Sequence, residues 1–246
     1  MLRTDNLSRS FGRLVAVDGV SLALPAGARH ALIGPNGAGK TTLINLLTGV
    51  LEPSAGDVFL GDERITHLRA HQRVKRGLTR TFQVTNLFPG LTVLESLLIA
   101  IHERKGAATD WHRPFERRRE DIDEARDLLA RLRLESDAEV RTAKLPYGRQ
   151  RIVEIALALA TAPKILLLDE PAAGIPSTES AEILGVVDRL PDDVTVLFIE
   201  HDMGLVFRFA ERVTVLVAGR ILTEGTPDEI ARDERVRAVY LGAEAA

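Results

Sequence analysis

Apolar residues alternate with polar ones through Val15, Val17, Val20, Leu22 and Leu24 up to a turn at Pro25–Gly27, a period of two that predicts a strand over Leu14–Leu24. Ala28 to Ile33 is a short apolar strand, and Lys40 to Leu47 has the three-and-four spacing of a helix ended by Gly49. Val58 to Ile65 predicts a hairpin broken at Gly61–Asp62, and Leu78 to Phe82 a further strand. Between Thr92 and Leu134 the pattern turns helical: Leu94, Leu97, Leu98 and Ile101, then Ile122, Ala125, Leu128, Leu129 and Leu132, fall three or four apart. Gly106, Pro114 and mixed charge make Lys105–Arg119, between those helices, a loop. After Gly148 helices (Arg149–Thr161, Ser177–Leu190) alternate with uniformly apolar strands (Ile165–Asp169, Val194–Ile199). Strands near Val213–Val217 and Ile221–Thr223 and two short helices follow. Strands apolar on both faces and interleaved with helices belong in a mostly parallel sheet covered on both sides, so the pattern predicts an α/β fold with a helical insertion.

Composition narrows the function classes. The 246 residues fit one large domain with an embedded subdomain. With 45% hydrophobic and 27% charged residues the bulk of the chain lies far from the disordered class. Lys plus Arg number 32 against 35 Asp plus Glu, a net charge of −3, which speaks against gripping nucleic-acid phosphates; no nucleic-acid partner is expected. The absence of cysteine excludes disulfides, thiolate zinc sites, a cysteine nucleophile and iron–sulfur clusters, and suits a reducing cytosol. No apolar run approaches the ~18 residues of a membrane span, and Met1 to Phe11 offers no secretory apolar region. Any membrane contact is therefore expected to run through a partner.

The strongest chemical signal is Gly34-Pro35-Asn36-Gly37-Ala38-Gly39-Lys40-Thr41, which satisfies G-x-x-x-x-G-K-[ST] between a predicted strand and a predicted helix. Its glycines let the backbone curl so that successive N–H groups and the helix N-terminus converge on one anion. Lys40 brings a point charge to the β- and γ-phosphates, the Thr41 hydroxyl can ligate Mg²⁺, and Thr42 adds an α-phosphate contact. Ile165-Leu166-Leu167-Leu168-Asp169-Glu170 is an apolar strand ending in two carboxylates, which a metal-bound phosphate would account for, since unpaired buried charge is costly. Asp169 is assigned to the Mg²⁺ shell and Glu170 to deprotonating the attacking water.

Together with Thr81-Phe82-Gln83, Leu145-Pro146-Tyr147-Gly148-Arg149-Gln150-Arg151 and Glu200-His201-Asp202-Met203, these motifs make the chain resemble ABC-transporter ATP-binding subunits over nearly its whole length. Glu170-Pro171-Ala172-Ala173-Gly174 and the closing Tyr240-Leu241-Gly242 are most similar to the ATPases of branched-chain amino-acid importers. The resemblance implies a P-loop NTPase fold with an N-terminal antiparallel β subdomain, and a helical subdomain over 92–148 inserted into a catalytic core of 1–91 and 149–246. It implies that Gln83 reaches Mg²⁺ or the attacking water, that His201 contacts the γ-phosphate, and that Phe11 stacks on adenine. Leu145 and Gly148 would cap ATP held by a second ABC ATPase subunit, identical or different, so that hydrolysis needs two subunits head to tail. Further implied partners are ATP and ADP, transmembrane permease subunits and, indirectly, a solute-binding protein. The implied location is cytoplasmic, peripheral on the inner face of the cell membrane.

The sequence departs from the family pattern where Pro146 replaces a serine, Tyr147 the first of two glycines and Arg149 a glutamine, and where Ile175-Pro176-Ser177 lacks the usual Asp or Asn. A hydroxyl donor to phosphate is missing, and pairing with a different ATPase bearing a fuller signature is expected. His67 and His71, spaced i, i+4 without a third ligand, are read as surface residues, and Trp111 as loop packing or a contact to a membrane partner. The expected function is ATP hydrolysis powering import of branched-chain amino acids or related small solutes such as urea or amides. Lipopolysaccharide export and a soluble, non-transport ABC ATPase are the alternatives.

Overall fold

The computed structural model describes residues 1–81, 87–106, 119–175, 180, 183 and 185–243. In chain order, the elements begin with β1 (Leu2–Phe11), β2 (Leu14–Val20), β3 (Ala23–Leu24), β4 (Arg29–Ile33), α1 (Lys40–Thr48), β5 (Ala55–Leu60), β6 (Glu63–Arg64), α2 (Ala70–Val74) and β7 (Leu78–Arg80). Helices α3 (Val93–Arg104), α4 (Arg119–Arg131) and α5 (Tyr147–Ala160) follow, then β8 (Ile165–Asp169) and β9 (Thr195–Ile199). The chain continues with α6 (Met203–Phe209), β10 (Arg212–Val217), β11 (Arg220–Gly225), α7 (Pro227–Arg232) and α8 (Glu234–Ala243). Contacts group these into one compact unit of Met1–Arg80, Lys164–Glu170 and Pro191–Ala246, and another of Thr81–Pro163 and Pro171–Leu190.

The first unit holds two sheets. An antiparallel one runs β2-β1-β5-β6 with β3 also on β1. A six-stranded one runs β11-β10-β4-β9-β8-β7, parallel throughout except for the hairpin partner β11. This is the mostly parallel central sheet and the antiparallel N-terminal β region expected. Strands β8 and β9 are buried at every position, as their unbroken apolar runs require. Helix α1 buries Leu43, Ile44, Leu46 and Leu47, each contributing about 2 kcal/mol, and Gly49 ends it at φ 74°. The fully buried Arg73 guanidinium donates to the carbonyls of Leu46, Leu47, Thr66 and Leu68 at 2.6–2.9 Å, two of them at the carboxyl end of α1. Burial pushes its pKa down to about 10.

The short helix α2, strand β1 and helix α6 escape the sequence pattern. In β1, Leu2 and Thr4 face inward, but the pairing with β5 slips between Asp5 and Ser8, where Asn6 takes φ 46°, and only then does Leu7 return to the core. A bulge of this kind breaks the period-two signal. Helix α6 carried a readable start: the Asp202 carboxylate accepts from the N–H groups of Gly204 and Leu205 at 2.8 and 3.2 Å, ahead of buried Leu205, Val206 and Phe209. Elsewhere boundaries move by up to three residues, as where β5 starts at Ala55 rather than Val58 and α5 at Tyr147 rather than Arg149, and the strand expected over Leu14–Leu24 divides into β2 and β3. Of the helix expected over Ser177–Leu190, six residues lie outside the described ones, Ser180 and Ile183 are helical, and Val187–Arg189 is a 3₁₀ turn.

In the second unit α3 packs on both α4 and α5. Thr92 and Glu95 form a reciprocal cap on α3, with bonds of 3.1 and 2.7 Å. Leu97, Ile101, Ala125, Leu129 and Ile152 are buried. Most of the Lys105–Arg119 stretch, with Trp111, lies outside the described residues. No described helix is long and apolar enough to cross a membrane.

Candidate nucleotide site

The register of the parallel sheet builds the candidate site. Ile199 at the end of β9 pairs with Asp169 of β8 on one side and with Leu32 of β4 on the other. The chain therefore leaves all three strands at one edge: into the loop from Gly34, into Glu170, and into Glu200 and His201. Carboxyl ends of adjacent parallel strands are where α/β sheets place their ligands.

Between β4 and α1 the loop needs its glycines for separate reasons. A Cβ at Gly34 would stand 2.1 Å from the Leu216 carbonyl oxygen, and one at Gly39 would stand 2.3 Å from that of Ala16. Gly37 has open space around it and needs only its φ of 77°. Pro35 accepts from the Ala38 N–H at 3.1 Å, which tightens the curl over Asn36. Helix α1 has Gly39 as its N-cap, no capping side chain and no acidic residue in its first turn, so the amides of Lys40, Thr41 and Thr42 stay available to an anion. The buried Lys40 ammonium donates to the carbonyls of Gly34 and Pro35 at 2.7 and 3.1 Å. Burial holds its pKa below the usual lysine value, while Glu170 and Asp169 pull it back up, so the three groups share one local field. Tyr240, on α8, is partly buried; burial pushes its phenol up and the Gly34 backbone N–H facing it draws it part-way back.

At the end of β8 the two carboxylates have different partners. Asp169 is buried; its Oδ2 accepts from Arg80 at 2.5 Å, and Arg80 also donates to Asn45 Oδ1 on α1 at 2.6 Å. Asp169 Oδ1 is buried without a hydrogen-bond partner among the described residues. A hard divalent cation prefers oxygen donors such as this carboxylate and the hydroxyl of Thr41 in the first turn of α1, so the donor types fit Mg²⁺. Glu170 sits at φ 49°, its N–H donating to Ile199 at 3.1 Å, and its Oε1 lies 2.7 Å from His201 Nε2. Phe11, at the end of β1, is 44% exposed rather than buried in the core, with the Arg9 guanidinium 4.8 Å over its ring.

The remaining expected residues belong to the second unit or lie outside the description. Leu145 is buried and its carbonyl accepts from Gln150 at 2.9 Å; Gly148 sits in the first turn of α5 behind an N-cap at Pro146. Arg149, in place of the family glutamine, is tied to Asp137 and to the Arg133 carbonyl. Phe82, Gln83, Pro176 and Ser177 lie outside the described residues. Arg80 and Asn45 carry no signal in the sequence, and Tyr240 stands there only as part of the closing Tyr240-Leu241-Gly242, because each meets its partner only through the fold.

A family model described as ABC transporter matches residues 17–173, and one described as Branched-chain amino acid ATP-binding cassette transporter matches residues 220–246. The chain is 39% identical to the high-affinity branched-chain amino acid transport ATP-binding protein BraF of Pseudomonas aeruginosa, over 98% of both chains. Among solved structures it is similar to the ADP conformation of MJ1267, an ATP-binding cassette of an ABC transporter, with a TM-score of 0.86, 32% identity and 98% of both chains covered. The dimeric structure of MJ0796, a bacterial ABC transporter cassette, matches at a TM-score of 0.76 and 27% identity, covering 92% of this chain and 99% of that one.

Proposed function

The chain belongs to the ABC transporter family, and from that premise we propose that it is the ATP-hydrolysing subunit of an importer for branched-chain amino acids or related small solutes. The observation that carries the chemistry is the shared sheet edge. Ile199 pairs with both Leu32 and Asp169, which lines up the glycine loop, the paired acids and His201. The solute class is supported by the match of residues 220–246 and by the likeness to BraF.

In this reading the loop from Gly34 to Thr42 holds the phosphates through its N–H groups other than that of Ala38, which is bonded to Pro35, and Phe11 meets the adenine. Lys40 exchanges its bonds to the Gly34 and Pro35 carbonyls for β- and γ-phosphate oxygens. Thr41, Asp169 and Gln83 would hold Mg²⁺, which neutralises charge on the β- and γ-oxygens when bound. Glu170 takes a proton from the attacking water, and His201, released from Glu170, donates to the γ-phosphate. Leu145 and Gly148 serve ATP on a second subunit, in line with the dimeric cassette it resembles, and permease subunits tether the pair to the cytoplasmic face of the membrane. The solute-binding protein acts through those permeases, so no residue of this chain reads the solute.

Glu170→Gln tests the assignment. The variant, assayed with its permease partners, is expected to bind ATP as before and turn it over at least ~10²-fold more slowly. Undiminished turnover removes Glu170 as the base.

A further inference from the structure

Asp169 and Arg80 form an ion pair that the nucleotide chemistry leaves unexplained. The carboxylate is 2% exposed, on the last residue of β8, and the Arg80 side chain on β7 is only 11% exposed. The two are 89 residues apart in sequence, brought together because β7 and β8 are parallel neighbours. One guanidinium nitrogen stands 2.5 Å from Asp169 Oδ2 and another 2.6 Å from Asn45 Oδ1 on α1, the helix whose first turn closes the glycine loop. The other carboxylate oxygen, Oδ1, is buried with no hydrogen-bond partner among the described residues. One oxygen is thus neutralised and fixed, and the other is presented.

We propose that Arg80 is a positioning residue for the divalent cation: it holds Asp169 as a one-oxygen donor, pinned to α1 through Asn45, and lends it a standing counter-charge. This rests on the reading of Asp169 as a magnesium residue. Two consequences follow from the charge and from the fork. With Oδ2 already paired, the carboxylate has little attraction for a bare cation, so the metal enters only with the triphosphate. With the carboxylate plane fixed between β7 and α1, Oδ1 needs no reorientation when the metal arrives, the usual benefit of a fixed outer partner. A lysine can supply the charge, but its single ammonium cannot bridge Asp169 and Asn45 with the same planar geometry.

The test uses the full chain. Isothermal titration with MgCl₂, and with MnCl₂ as a second probe, is run without nucleotide on the native chain, Arg80→Gln and Asp169→Asn, with circular dichroism to verify folding. The native chain is expected to show no cation site, and Arg80→Gln, relieved of the counter-charge beside Asp169, to show a measurable one. A folded Arg80→Gln that binds no better than the native chain overturns the proposal. Arg80→Lys keeps the question open if Arg80→Gln does not fold. It should still bind no cation alone, while the Mg²⁺ concentration for half-maximal ATP turnover rises about tenfold or more; an unchanged metal curve overturns the proposal. Asp169→Asn separates the two readings. If it leaves the Mg²⁺ dependence of ATP binding intact, Asp169 is not a magnesium residue. If it abolishes that dependence while the Arg80 variants behave as native, the role of Arg80 alone fails.

Discussion

His201 Nε2 stands 2.7 Å from Glu170 Oε1, so the proposed base and the proposed γ-phosphate contact are within hydrogen-bond distance of each other. The contact spans the ends of neighbouring strands β8 and β9 and involves a half-exposed histidine and a largely buried carboxylate. It keeps Glu170, already at φ 49°, aimed along the sheet edge. His201→Ala is expected to lower turnover by about 10²-fold or more with little change in ATP affinity. The double variant with Glu170→Gln should be scarcely slower than either single one, as for residues acting as a unit. Additive losses in single-turnover measurements would show two independent roles.

Stability should fall in mild acid because of His30. Its ring is 1% exposed and 2.7 Å from the Thr214 hydroxyl, and burial foremost lowers its pKa from 6.5 to about 4. The folded value lies below the unfolded one, so the unfolded chain binds the extra proton first. The contribution is complete above pH 6.5 and is lost as pH falls towards 4, amounting to roughly 3 kcal/mol. Denaturant unfolding of the native chain and of His30→Gln between pH 7 and 4 checks this: the variant's stability should be the flatter of the two.

The glycines of the loop should separate by mechanism. Gly37→Ala meets only a backbone penalty of about 1–2 kcal/mol, lowering the melting temperature by a few degrees. Gly39→Ala adds a collision with the Ala16 carbonyl, its Cβ placed 2.3 Å away, and should melt well below Gly37→Ala. Equal melting temperatures without nucleotide would mean that the Ala16 segment yields freely.

The Tyr240 phenol on the C-terminal helix faces the backbone N–H of the first loop glycine, Gly34. Tyr240→Phe takes the hydroxyl away from the buried Gly34 N–H, a loss of at most about 1 kcal/mol. ATP affinity is expected to drop several-fold with kcat nearly unchanged. An unaltered dissociation constant, from titration with a fluorescent nucleotide, would show that the phenol plays no part in shaping the loop.

Much of the site could be read from one dimension because its chemistry is carried by consecutive residues. Gly34 to Thr41 act largely through backbone amides and the start of a helix, and Asp169 and Glu170 announce themselves as charges ending an apolar run. The buried strands β8 and β9 were legible for the same reason, since a strand covered on both faces leaves no polar positions. Strand β1 was not, because a bulge at Asn6 shifts its inward face by a residue.

Local spacing thus encodes the loop, the acids and most of the elements, and with them the family. Folding alone settles which groups face one another across the sheet: Arg80 against Asp169 and Asn45, His201 against Glu170, Tyr240 against Gly34. The reason is geometric. Neighbouring parallel strands can come from distant parts of the chain, so the partner of a buried charge is chosen by strand order and register, and neither quantity is written in the residues beside it.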